Sequence, residues 1–351
     1  MRVEHSALTS LIHLLLNTKP QRIGSASQNP NLACDHYVSF SARINVLALL
    51  LVVSMALTPN IGFAKDAVKL YFGGSTPALR AFNKDLTLKI LEATKPTYGD
   101  YELELFRERL TGTRVTRELI TGDNVNLVYG VTNPTSNTKY KGRLDIKKPM
   151  LNYTLGLRRV LIRREDRALF DSTESIQAFK TPILGQVRFW PETDFFLSAG
   201  IKVRTSEYFS NVPKMLLEKR FDFFPLSITE IQASLDTMDV DDGKIVIADN
   251  FYIFYYHPTI MQVPTNHAGL AYRLSTGFDE LYDSGEFKLI FEQHFGQYFD
   301  HINIDQATIF VFFNHRYTEE ENDTAFRYIY SEYFDSRAKV IHMNNKKPRK
   351  D

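Results

Sequence analysis

Cysteine is almost absent: Cys34 is the one thiol in 351 residues. A lone cysteine excludes an intramolecular disulfide framework and any site built from paired thiolates. Charge of one sign is also lacking, since the net charge is +1. That balance gives no electrostatic case for a nucleic-acid partner. The chain has no apolar run long enough to cross a bilayer of about 30 Å; its longest is Ile44 to Leu57. Nucleotide and hydrolase signatures are missing, namely G-x-x-x-x-G-K-S/T, G-x-G-x-x-G, H-E-x-x-H and G-x-S-x-G. No solenoid-length repeat is present. What is plentiful is apolar material, at 44% of residues, with 26 Phe and 18 Tyr against one Trp. That is enough for a large core and about two domains.

The N-terminal apolar run has a recognisable context. Arg43 precedes it, Thr58-Pro59-Asn60 ends it, and Gly62-Phe63-Ala64 supplies small residues at alternate positions. A basic flank, a short apolar core and such a triplet make an export signal, with cleavage expected after Ala64. Residues 1–64 are then expected to be an upstream extension plus signal (apolar core 44–57), with most of residues 1–42 expected to reflect a start assigned too far upstream, or else an unusually long n-region. The remaining chain, Lys65 to Asp351, has no cysteine. This suits an oxidising compartment, so a soluble periplasmic location without stable membrane insertion is expected.

Beyond the signal, short apolar strands alternate with helical segments. Ala67–Gly73 reads as a strand, and a helix opens at Ser75-Thr76-Pro77, where a hydroxyl can cap and Pro suits the first turn. Strands follow at 101–109 and 126–132, separated by a helix over 113–120. Gly156 to Glu165 is a strand leaving this unit. A second unit holds helices at 190–199 and 210–219 and strands at 200–203 and 221–224. The extended run Lys244–Pro258 is suited to cross back. Helices then span 266–282 and 286–295, and another spans 318–333. The pattern predicts an α/β, two-lobed fold with a largely parallel sheet and two crossover strands. The lobes fall at 65–160 with 248–314, and at 161–247. Residues 315–351 form a C-terminal extension ending in a solvated basic tail.

A cleft between lobes is the natural place for a small ligand. Candidate lining residues follow from position. Ser75 and Thr76 open a helix whose free N–H groups suit a carboxylate, although a plain tight turn is equally consistent. Tyr153 and Arg158 flank the first crossing. Arg158 is either a bidentate ligand for a carboxylate or the partner of Glu165 or Asp166. Trp190 is either core or a ligand wall. Ser227 and Glu230 have capping-box spacing but also lie near the cleft. The histidines, His257 among them, are too scattered for a metal pair and read as surface or capping groups. Asp239, Asp241 and Asp242 lack the glutamate of a Ca²⁺ loop and read as a turn. No metal or cofactor is expected.

Three segments resemble the type 2 periplasmic solute-binding proteins, the amino-acid-binding kind associated with ABC importers. They are Leu88–Leu105, Phe189–Ile231 with its W-P-x-T-D and R-F-D-x-F-P pattern, and His267–Gly296 with paired helices. The resemblance implies Venus-flytrap closure around a small solute, in a monomer that partners a permease. It also implies an arginine of the first lobe on the ligand carboxylate and an acid of the second on its amino group. The corresponding region here, Thr132–Ile146, carries Lys139, Lys141 and Arg143, and Glu230 is the nearest acid. Leu226 stands where the pattern leads one to expect Arg.

Three functions fit these observations. The first is capture of a small polar solute for an importer. The second is a sensory or accessory module on the same fold. The third is a small-acid dehydratase with Glu230 as its acid–base group. The absence of catalytic signatures favours a non-enzyme.

Overall fold

The computed structural model describes residues 65–74, 76–131, 142–238, 243–300 and 302–343. The segment expected to be an export signal, Cys34, Ser75, Lys139, Lys141, the run Asp239–Asp242, His301 and the basic tail lie outside these. The chain divides after Gly62, and both lobes belong to the unit Phe63–Asp351. Among the described residues no helix is long and apolar enough to cross a membrane.

The first lobe begins with β1 (Asp66–Tyr71), α1 (Pro77–Ala93), α2 (Lys95–Tyr98) and β2 (Tyr101–Phe106), with β1 and β2 parallel. Then come α3 (Gly112–Thr121), β3 (Val128–Val131) and β4 (Arg143–Ile146). Its core joins Val68 and Leu70 of β1 to Phe82, Leu86 and Ile90, which recur at helical spacing on one face of α1. A fully buried arginine, Arg273, ties the lobe together. It donates to the backbone oxygens of Leu91 and Gly99, to Thr94 Oγ1, and to Asp66 Oδ2 at 2.9 Å.

The second lobe is built on an eight-stranded sheet. Its centre is β5 (Leu157–Arg163), and α4 (Arg167–Asp171), α5 (Ile176–Lys180), β6 (Leu184–Val187), α6 (Pro191–Ser198) and β7 (Val203–Ser206) come after it. Next are α7 (Val212–Leu217), β8 (Phe223–Ser227), α8 (Ile231–Asp236), β9 (Ile245–Ile247) and β10 (Phe251–Tyr255). Side chains alternate across this sheet. Val160 and Ile162 pack on one face with Phe223 and Ile253, and Leu161 packs on the other with Phe224 and Leu226.

The chain returns to the first lobe as β11 (Thr259–Pro264), which pairs antiparallel with both β3 and β4. α9 (Ala268–Ser284) and α10 (Glu286–Phe295) complete that lobe's core. A third passage, from Gly296 to Ala307, leads back to the second sheet. There β12 (Thr308–Phe312) pairs parallel with β10, α11 (Glu319–Tyr333) covers one face, and β13 (Lys339–His342) forms the edge.

Sheet membership differs from the sequence division in two ways. Lys244–Pro258 is not one crossing run: β9 and β10 both pair antiparallel with β5, and only Tyr256–Pro258 crosses. Residues 248–255 and 308–312 therefore belong with the second sheet, not the first lobe. The C-terminal segment is no appendage, because β12 and β13 extend that sheet. The sheet is largely parallel as expected, with β5 alone running against its neighbours β8, β9 and β10. Thr318 and Glu321 form a reciprocal capping box on α11.

The two crossings touch backbone to backbone. A Cβ on Gly156 would lie 1.9 Å from the Tyr255 carbonyl oxygen, so only glycine fits. The C-terminal segment grips the same place. Asn314 Nδ2 donates to Tyr256 O at 2.9 Å, Tyr317 packs on the Tyr256 ring, and Tyr328 packs on Tyr153. Gly156→Ala should destabilise the protein by about 2 kcal/mol through forced displacement of this junction. Urea unfolding measures it, and a variant as stable as the parent contradicts the account.

Candidate functional site

A cavity of about 650 Å³ lies where the lobes meet, within the range of small-molecule sites. The first lobe contributes Gly74, Thr76 and Pro77 at the start of α1, with Arg109 and Val131. The second contributes Trp190, Glu192, Leu226 and Glu230, while Arg158 and His257 enter beside the two crossings.

Local structure explains each position. Thr76 caps α1, its side chain accepting from Leu79 N at 3.4 Å, and no acid occupies that helix's first turn. The positive end of a 17-residue helix is therefore left without an acid of its own at the cavity. Gly73 allows the loop before α1 to pass 2.1 Å from the Glu108 carbonyl oxygen, measured from where a Cβ would stand. This contact brings the loops after β1 and β2 together, which places Arg109 beside the α1 start. Pro191 fixes the first turn of α6, so Trp190 precedes the helix and Glu192 lies inside it. Trp190 stacks on Phe209 at 6.0 Å and also meets Phe224.

The chemistry concentrates on one carboxylate oxygen. Glu192 Oε1 accepts from Arg158 Nη2 at 2.7 Å and stands 3.4 Å from His257 Nε2. All three residues are buried. Burial alone would raise the Glu192 carboxyl; the imidazole of His257 and the guanidinium of Arg158 outweigh it and hold the group well below its ordinary value of 4.5. Arg158 also lies over the Tyr255 ring at 5.5 Å, and its buried Nε has no acceptor among the described residues.

Glu230 is the opposite case. It precedes α8 and makes no side-chain hydrogen bond or ion pair among the described residues. Burial pushes its carboxyl up, Arg158 pulls it down, and the negative charge of Glu192 pushes it up again; the net shift is upward. The cavity thus holds one satisfied carboxylate and one that lacks a counter-charge.

Of the sequence-derived residues, Thr76, Arg158, Trp190 and Glu230 meet at this cavity. Three do not. Arg143 is engaged by Asp145 within β4, Nε to Oδ1 at 2.9 Å. Tyr153 packs against Tyr256 and Tyr328. Ser227 ends β8 fully buried, its hydroxyl 3.1 Å from Thr154 O and 2.9 Å from Thr229 Oγ1. It does not cap α8: Ser227 O accepts from Glu230 N in a tight turn, and the helix starts only at Ile231. Neither acid expected beside Arg158 pairs with it. Asp166 binds Arg163 and Glu165 binds Lys219. Asp222 of the R-F-D run is structural too, accepting from Arg163 Nη2 and Ile183 N.

Sequence reasoning missed His257 and Glu192. His257 is not a surface group, being 3% exposed. The available signal was its place at the second crossing, which suffices to put a side chain at an interlobe junction.

No protein-family model matches the chain, and no curated protein matches it. Among solved structures it is similar to a mutant arginine-binding protein from T. maritima, at 15% identity and a TM-score of 0.46, covering 66% of this chain and 95% of that one. It is similar to a probable amino-acid ABC transporter extracellular-binding protein from Bacillus subtilis, at 12% identity and 0.48, covering 66% and 100%. The GluR0 ligand-binding core in complex with L-glutamate overlaps at 14% identity and 0.48, covering 66% and 100%. Overlaps this loose leave the functional reading to the site itself.

Because Glu192 is held low, the folded chain binds that proton less readily than the unfolded chain does. Its contribution is complete above pH 4.5 and is lost as pH falls toward the lowered value. Glu192→Gln should lose about 3 kcal/mol at pH 7, since it strands Arg158, and should flatten the decline in stability below pH 4.5. Chemical unfolding across pH 3 to 7 checks both, and parallel curves for parent and variant contradict the assignment.

Proposed function

We propose that this chain is an exported solute-binding protein that closes its lobes on a small polar solute and presents it to an ABC importer. An amino acid is the favoured class of solute, and we assign the protein no reaction. The observation that carries this reading is Glu230, a carboxylate without a counter-charge in a cavity lined by both lobes. A ligand ammonium beside it would supply the missing charge. From the first lobe, the α1 start and Arg109 suit a carboxylate. Arg158 Nε offers a further donor from the floor. The two ends of such a solute would then touch different lobes, so binding stabilises the closed arrangement.

A second reading, a sensory module with weak binding, draws on one observation. Arg158 already spends its strongest contact on Glu192.

The test is a thermal-shift panel of L-amino acids and polyamines. A true ligand at a hundredfold its Kd should stabilise the protein by about 2.7 kcal/mol. Glu230→Gln should weaken binding by about thirtyfold, the effect of truncating one partner of a buried charge pair. The same substitution should make the ligand-free protein slightly more stable at pH 7, because a half-buried charge without an ion pair is removed. A flat panel favours the sensory reading. A ligand shift that survives Glu230→Gln removes Glu230 from the site.

A further inference from the structure

The interlobe cavity does not end at the charged cluster. A second cavity, of about 800 Å³, shares Arg109, Phe209 and Thr237 with it and continues outward along α7. The two ends differ in chemistry. Inward lie Arg158, Glu192, His257 and Glu230. Outward lie Pro213, Leu217 and Met238, with the ammonium of Lys214 at the rim. Phe209 forms wall for both parts and is braced by its stack on Trp190.

Each part alone is as large as an ordinary small-ligand site. A single amino acid seated at Glu230 would leave the outer part empty. Cationic groups are available along the way. Arg109 has no acidic partner among the described residues. Lys214 has only Glu218, at 3.8 Å, and its side chain is 79% exposed. Glu218 is meanwhile held by Arg220 at 2.8 Å. Along its length the groove thus offers an acid, an aromatic wall, an apolar stretch and a cation.

We propose that the site takes a short peptide of two or three residues in preference to a free amino acid, an inference that rests on the solute-binding reading above. Its N-terminal ammonium sits at Glu230. Its side chains lie against Trp190, Phe209 and Leu217, and its C-terminal carboxylate reaches Lys214. Arg109, contributed by the other lobe at the junction of the two parts, covers the middle of the chain. This order of groups runs the same way as a peptide's own polarity, cation first and anion last, with apolar side chains between.

Titration calorimetry on the purified chain tests this with alanine, dialanine, trialanine and Ala-Phe-Ala, together with N-acetylated and C-amidated trialanine. The expected result is that the free peptides bind about tenfold tighter than alanine or better. Acetylation should abolish binding, and amidation should weaken it about threefold. Lys214→Glu, a change at an exposed position, should weaken the free peptides by a similar factor, leave any alanine binding unchanged and have no effect on the amidated peptide. Met238→Ala should weaken Ala-Phe-Ala more than dialanine. Peptides that bind no tighter than alanine, or that ignore Lys214→Glu, overturn the proposal while leaving capture of a small solute standing. If neither amino acids nor peptides bind, both readings fall.

Discussion

One carboxylate oxygen, Glu192 Oε1, joins three distant parts of the chain. It receives Arg158 from the start of β5 and faces His257 from the second crossing, while Glu192 itself is fixed by the first turn of α6. The crossings are already pressed together at Gly156 and Tyr255, where no side chain fits. The charge cluster therefore sits on the junction about which two lobes would move. A buried arginine and a buried acid are tolerable only as partners, so the cluster and the junction geometry specify each other. The C-terminal segment strengthens this through Asn314, Tyr317 and Tyr328, and Arg316 Nη1 reaches the Pro191 carbonyl next to Glu192.

The neutralised pair gives Glu230 its character. Arg158 favours the ionised form of Glu230, but its hydrogen bond goes to Glu192. With Glu192 holding Arg158, the cavity keeps an acid whose ionisation is disfavoured by burial and by a neighbouring negative charge. A cationic group beside it would offset both effects.

Much of the fold was legible in the sequence because its signals are local. Proline after Thr76 and Trp190 marked helix starts, the apolar run Ala67–Gly73 marked β1, and the helix expected over 318–333 forms as α11. Arg158, Trp190, Thr76 and Glu230 were placed at the cleft because crossings and strand ends lead there. What was not legible depended on distant partners. Nothing near His257 indicates Glu192, and nothing near Arg273 indicates Asp66. Ser227 and Glu230 had the spacing of a cap, but the buried Ser227 hydroxyl was claimed by Thr154 and Thr229. The short edge strand Lys339–His342 gains its strand character from pairing with β12, which a window of four residues cannot reveal.

Proton-linked calorimetry tests the central claim most directly. If a ligand cation is received by Glu230, whose carboxyl is shifted upward by burial, binding must favour its ionised form. Titrating the tightest-binding solute from pH 7 down to pH 4 in buffers of different ionisation enthalpy should show proton release that grows as pH falls into the carboxyl's titration range, and Glu230→Gln should abolish it. Binding with no proton release, or with release unchanged in Glu230→Gln, would contradict the account.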